Sequence, residues 1–252
     1  MSVPANGCIE RFAQFDEIRA AYELCGNEWL CVAEKREFDL LRDESRRQAW
    51  LCGRWLSKQL IREACVLSAT NLKSIEILSR DSEGRGMRPA VTVNGEPISA
   101  SLSISHSTHA VLVAVTTQSG VSIGVDLTIP ESVKPGFLRM WFTEAEQERL
   151  KAADAPGAMT YWAVKEAVYK ACQQGESFAP RKIEVFDSVE GRAGCYYQGM
   201  DLHDFGDIQI REIDGHIAVV ATVAVSAGKN CVPTIDAHHS AACGNELAEQ
   251  QG

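Results

Sequence analysis

The sequence predicts an α+β fold of two pseudo-duplicated subdomains. Each is a long helix packed on a small, mainly antiparallel sheet, and the active site is expected in the cleft between them. Two observations carry this. Residues 37–64 and 159–173 place apolar side chains at three-and-four spacing, the mark of a buried helix face. Each of these stretches is then followed by a strand and a hairpin: 74–79 and 102–116 after the first, 183–186 and 208–225 after the second. The same order appears twice within 252 residues. Two packed halves of this kind leave a groove where small-molecule sites form. The expected division is 1–118 for an N-terminal subdomain and 119–227 for a C-terminal subdomain. A tail over 228–252 is small, polar and expected to be disordered.

Taken in order, residues 10–30 suggest a short helix and connectors. From Glu34 to Cys65 the pattern is helical, through Phe38, Leu41, Trp50, Leu51, Trp55, Leu56, Leu60 and Ile61. Asp43-Glu44-Ser45 marks a break or a fresh start within it. Ser74–Ser79 alternates as a strand. Arg80–Pro89 reads as a glycine-rich cationic loop, and Asn94-Gly95 as a turn. Leu102–Ser107 and Ala110–Thr116 form a hairpin, and Val121–Leu127 a third strand. Pro130–Pro135 is a loop. Thr143 with Glu146 three residues later has capping-box spacing, and Ala155-Pro156-Gly157 ends that helix. Asp214-Gly215 closes the last hairpin.

Composition narrows the function. Hydrophobic residues make up 45% and charged residues 23%, with a net charge of −9. An acidic chain argues against a nucleic-acid binder, which carries a basic face. Between Lys35 and Arg88, however, arginine and lysine are dense, which suits a small anionic ligand or an acidic protein partner. No secretory pattern is read at the N-terminus, and no apolar run approaches the ~20 residues of a membrane span. The nine cysteines lack CxxC pairs and read as free thiols, so a cytoplasmic location is expected. His238, His239 and Cys243 form a chance cluster rather than a metal site.

The chemistry gathers around two pieces. Gly124-Val125-Asp126 ends an apolar run with a carboxylate, and Gly124 lets backbone or ligand come close. In Trp162-Ala-Val-Lys165-Glu166-Ala-Val-Tyr-Lys170, residues 162, 166 and 170 stack on one helix face. Two carboxylates with open positions suit Mg²⁺, which keeps waters and completes its shell with substrate phosphates. The plainer alternative makes Asp126 a turn former and Glu166 a surface partner of Lys170. In Ser105-His106-Ser107, neighbouring strand residues point to opposite faces, so Ser105 and His106 cannot form a nucleophile–base dyad. A histidine beside hydroxyls and a basic loop suits phosphate, or is a strand-end residue with no task.

Together, SISHS, GVDL, WFTEAE and WAVKEAVYK resemble the ordered signature of the surfactin-type 4′-phosphopantetheinyl transferases. Upstream, Arg46-Arg47-Gln-Ala-Trp-Leu-Cys-Gly-Arg54 with Lys58 is similar to that family's RRxxFLxGRxxxK helix, and Met87-Arg88-Pro89 to its Gly-Lys/Arg-Pro loop. The resemblance covers residues 35–225. It implies transfer of the phosphopantetheine arm of coenzyme A to a serine hydroxyl of an apo acyl or peptidyl carrier protein, with 3′,5′-ADP leaving, in lipid or secondary-metabolite synthesis. It implies Mg²⁺ on Asp126 and Glu166, with Glu166 also as base, and Lys170 at the leaving phosphate. It implies coenzyme A contacts from Arg54, Arg88, Ser105, His106 and Lys165, with Arg85, Arg47 and Lys58 as further candidates. A monomer is expected, since one chain carries both halves. Glu146 matches a family glutamate near the metal, or is only the capping box. Thr128 departs from the pattern, standing where many members carry a second acid, which leaves either its hydroxyl or a water to fill that place. The alternative function is a decayed module that binds coenzyme A or a carrier without chemistry.

Overall fold

The computed structural model describes residues 7–26, 28–81, 83–151, 157–172, 177–186 and 194–225. The expected disordered tail and the His238, His239 and Cys243 cluster lie outside these residues. The chain runs β1 (Cys8–Gln14), α1 (Phe15–Glu23), α2 (Val32–Asp39), α3 (Glu44–Ala64), β2 (Ile75–Arg80), β3 (Gly86–Val93), β4 (Glu96–Pro97), β5 (Ser101–His106) and β6 (Ala110–Thr116). It continues β7 (Val121–Thr128), α4 (Pro135–Trp141), α5 (Glu144–Arg149), α6 (Ala158–Cys172), β8 (Ile183–Phe186), β9 (Gly194–Tyr197), β10 (Met200–Asp201), β11 (Gly206–Ile213) and β12 (His216–Ala224). The fold is α+β, as the sequence predicts. All strand pairings are antiparallel, in the orders β1-β6-β5, β2-β3-β4, β11-β12-β7 and β10-β9-β8.

The long apolar run of β6 is explained by burial on both faces. Val111, Val113 and Val115 pack into a core with α3, while Ala110, Leu112 and Ala114 pack into a second core against the other large sheet. Strand side chains alternate in direction, so one strand serves both cores. β12 does the same: Ile217, Val219, Ala221 and Val223 face α6, and Ala218 and Val220 face the core between the sheets.

The two large sheets are joined by side chains rather than by a backbone ladder. Ser101, Ser103 and Ser105 of β5 accept hydrogen bonds from the backbone N–H groups of Ile123, Val125 and Leu127 of β7 at 3.0, 2.9 and 3.2 Å. Three serines at strand period thereby satisfy donors that would otherwise be buried without partners.

Several elements differ from the sequence-based expectation. β1 is a strand where residues 10–30 suggest a helix and connectors; only Cys8 and Ala13 in it are fully buried, and its partner β6 lies far along the chain. Local pattern therefore carries little of its signal. The helical stretch from Glu34, by contrast, breaks where Asp43-Glu44-Ser45 predicts: the Asp43 carboxylate caps α3 by accepting from the Arg46 N–H at 2.9 Å. The cationic loop is shorter than expected: residues 86–89 belong to β3, with Gly86 paired to Arg80. Helix α4, begun by Pro135 at its first position, and strands β9 and β10 are not predicted by the sequence pattern. Asn94 and Gly95 both take positive φ, 53° and 83°, as a tight hairpin turn requires.

The two halves repeat in detail. Trp55-Leu-Ser-Lys58-Gln59-Leu-Ile-Arg-Glu63 of α3 lies where Trp162-Ala-Val-Lys165-Glu166-Ala-Val-Tyr-Lys170 lies in α6. Lys58 pairs with Glu34 at 2.5 Å and Lys165 with Glu146 at 2.8 Å, all four side chains fully buried. Glu34 and Glu146 each close a capping box, with Cys31 and Thr143. Each also accepts a strand N–H, from Ile77 at 3.1 Å and from Val185 at 2.8 Å. Each ammonium is completed by two backbone carbonyls, Trp29 and Leu72 for Lys58, Pro180 and Ile183 for Lys165. A buried charge is tolerated only when so enclosed.

Helix α6 lies directly on β7. Ser122, Gly124 and Asp126 share the β7 face that meets it. Ser122 Oγ donates to the Ala171 carbonyl at 2.6 Å. A Cβ at Gly124 would intrude on the Ala167 carbonyl and the Ala171 N–H. Gly124→Ala should therefore cost ~3 kcal/mol of stability, since backbone atoms cannot move aside as side chains can. A urea midpoint equal to wild type would contradict this packing.

Candidate active site

Seating α6 on β7 brings three charges together. Lys170 Nζ lies 2.7 Å from Asp126 Oδ1 and 3.8 Å from Glu166 Oε2. It also donates to the Val125 carbonyl at 3.1 Å and to Ser105 Oγ at 3.4 Å. Ser105 Oγ donates to Asp126 Oδ1 at 2.8 Å. Asp126 is 7% exposed, while the Glu166 and Lys170 side chains keep about a quarter of their surface in solvent. The cluster is thus confined but reachable.

Beside it lies a cavity of about 630 Å³, where α3, β3 and β5 meet the end of α6. Arg46, Arg54, Arg80 and Arg88 contribute to its wall with His106 and Lys170, and Trp50 and Tyr169 add flat aromatic surface. No Asp or Glu is among the lining residues described. Such a wall attracts an anion, and its aromatic faces suit a planar ring. Arg54 is held by Glu37 Oε2 at 2.9 Å and Ser79 Oγ at 2.6 Å, and stands over the Trp50 ring at 4.7 Å. Its Nε is buried with no hydrogen-bond partner among the described residues. Arg88 donates to the Lys170 and Ala171 carbonyls, so it ties β3 to the C-terminal turn of α6.

Glu166 and His106 are both perturbed. Burial raises the Glu166 carboxyl above its ordinary value; Lys170 pulls it down, and the like charge of Asp126 pushes it up. His106 is exposed at the rim, yet crowding by neighbouring atoms and the Lys170 charge hold its pKa below the usual histidine range. A neutral imidazole there offers one donor and one acceptor.

The predicted site residues thus divide. Asp126, Glu166, Lys170 and Ser105 form one cluster, with His106, Arg54 and Arg88 in the adjoining wall. Lys165 and Lys58 stand elsewhere: both ammoniums are fully buried in their glutamate pairs and face the scaffold, not the cavity. Glu146 likewise holds Lys165 and the α5 cap. Arg85 is 70% exposed in a surface pair with Asp81 and Glu83, away from the cavity wall. Arg47 packs over the Phe38 ring and donates to the Leu41 carbonyl at 3.0 Å. Arg46, Arg80, Trp50 and Tyr169 line the wall without having been assigned a role from sequence. The 46, 50, 54 spacing along one face of α3 was the available signal.

Asp126 and Glu166 could hold a divalent metal. One ammonium already reaches both carboxylates, so one metal ion can be shared between them, with phosphate and water supplying other ligands. No cluster of three or more His, Cys, Asp or Glu with metal-binding geometry occurs among the described residues.

A carboxylate pair with a bridging lysine, set against an arginine-lined cavity, is equipment for group transfer on a phosphate ester. Residues 122–221 match the model of the 4′-phosphopantetheinyl transferase superfamily. The match spans β7 through most of β12 and includes Asp126, Glu166 and Lys170, while α3 and the arginines of the cavity fall outside it. No curated protein matches the chain. Among the described residues, no helix is long and apolar enough to cross a membrane, and the seven cysteines are all unbridged.

The raised Glu166 pKa has a stability consequence. The folded state favours the protonated form, so the contribution is full below the ordinary value of 4.5 and is lost as pH rises through the folded pKa. Glu166→Gln, which cannot ionise, should be more stable than wild type at neutral pH, with the gap closing as pH falls toward 4.5. Urea melts across that range read this directly; a gap that is independent of pH would refute it.

Proposed function

We propose that the protein transfers the 4′-phosphopantetheine arm of coenzyme A to a serine hydroxyl of an apo carrier protein, releasing 3′,5′-ADP, as a surfactin-type member of the superfamily. The observation that carries this is the Asp126–Glu166–Lys170 cluster, inside the matched segment and opening onto the arginine-lined cavity.

Each residue has a task in this reading. Arg54 and Arg88 offer cationic surface to the adenosine-side phosphates, with Arg46 and Arg80 as additional partners, and Trp50 and Tyr169 flank the base. His106 contacts phosphate at the rim. When bound, Mg²⁺ held by Asp126 and Glu166 supplies charge neutralisation at the pyrophosphate. Glu166 accepts the proton of the attacking serine. Lys170 stabilises the charge growing on the leaving phosphate. The division of the chain falls at 118–119, in the turn between β6 and β7. A single chain supplies both sides of the site, which supports a monomer.

Incubation with coenzyme A, Mg²⁺ and a panel of apo carrier proteins, followed by mass spectrometry of the carrier, tests this. One carrier should gain one phosphopantetheine, and Glu166→Gln should slow that gain by about 100-fold or more. No gain on any carrier, with coenzyme A still bound, would instead favour a binding module without chemistry.

A further inference from the structure

The same cluster carries an additional property. Lys170 Nζ is surrounded by four oxygens, from Asp126, Glu166, Ser105 and the Val125 carbonyl. That is the donor set a hard cation takes. The ammonium thus stands where a shared metal ion would stand. Its stem is flexible, about a quarter exposed, and lines the cavity, so the same ammonium can turn toward a ligand there. Lys165 makes the contrast: it is fully buried among Glu146 and two carbonyls and has no such freedom.

The other half of the molecule shows what is special here. Arg11 of β1 pairs with Val113, the fourth residue of β6, and Asp126 of β7 pairs with Val219, the fourth residue of β12. Glu63 and Lys170 follow their tryptophans at equal spacing. The first half therefore carries a charge-reversed counterpart, Arg11–Glu63 at 2.5 Å. There Gln59 occupies the place of Glu166, so the pair is balanced. In the second half Glu166 adds a charge. Asp126, Glu166 and Lys170 sum to −1. A divalent ion entering with Lys170 in place would leave +1, whereas entry with Lys170 departed leaves the position neutral.

We propose that Lys170 is a resident counter-ion: in the ligand-free protein its ammonium holds the cation position between Asp126 and Glu166, and the divalent ion enters as Lys170 transfers to phosphate in the cavity. Metal and phosphate ligand then bind cooperatively, because each favours the same displaced lysine. The identity of that ligand as coenzyme A rests on the proposed function; the counter-ion role itself does not.

The test is Mn²⁺ binding, followed by the electron paramagnetic resonance signal of the free ion, with and without saturating coenzyme A. In wild type, coenzyme A should tighten Mn²⁺ by about tenfold, within the range of coupled sites. Lys170→Met should bind Mn²⁺ alone about tenfold more tightly than wild type, and coenzyme A should tighten it by less than in wild type, because only direct phosphate ligation of the ion remains. Lys170→Arg, which keeps the charge, should resemble wild type. If Lys170→Met does not fold, Lys170→Gln, which retains a donor to Asp126, gives the same comparison. A folded neutral variant that binds Mn²⁺ no more tightly than wild type overturns the proposal. Tighter binding in the neutral variant, with no effect of coenzyme A on wild type, supports the counter-ion role and overturns the ligand assignment.

Discussion

The close approach of α6 to β7 is the constraint on which the site depends. Gly124 lets the backbones of the two elements meet, and no larger residue fits beneath Ala167 and Ala171. Flanking it on the same face, Ser122 binds the helix end and Asp126 receives Lys170. The strand period puts these three residues together, and the helix period puts Glu166 and Lys170 above them. A carboxylate on a strand and a carboxylate on a helix thus meet at one lysine. The separation of the strand and helix backbones that carry the two carboxylates is fixed by this close packing at Gly124.

Two lysines of one motif do opposite work. Lys165 and Lys170 are five residues apart, about 140° around the helix. Lys165 turns inward to Glu146 and locks α6 to α5 and β8. Lys170 turns to Asp126 and the cavity. The first half repeats the inward lock with Lys58 and Glu34. Its outward pair has reversed charges and one carboxylate fewer. The duplication therefore conserves the scaffold pair in both halves, while the acidic pair stands only in the second.

The halves differ in what they give the cavity. α3 and β3 contribute arginines, and α6 contributes Lys170 and Tyr169. An acidic chain thereby keeps a cationic recess. Arg88 connects the two contributions by bonding the carbonyls at the end of α6.

Much of this was legible in the sequence. Helix α6, the helical character of 34–65 with its break at Asp43, the two hairpins and the Thr143–Glu146 capping box follow from local periodicity and turn chemistry, although 37–64 is two helices rather than one. β1 was missed because its partner is remote and its own alternation weak. Lys58 and Lys165 drew the eye as cations in a motif, but only packing reveals that glutamates from α2 and α5 enclose them. The charge-reversed pair of Arg11 and Glu63 could be found only once β1 was known to be a strand beside β6. The serine ladder was visible as SLSIS, yet its function as a bridge to β7 depends on the pairing of the two sheets.

Asp126 and Glu166 are proposed as one cation position facing the arginine-lined cavity, which crystals grown with coenzyme A and Mn²⁺ and measured for manganese anomalous scattering would reveal. One strong peak is expected between these two carboxylates, with phosphate density beside it toward Arg54 and Arg88. A manganese peak elsewhere, with Lys170 still bonded to Asp126, would contradict it.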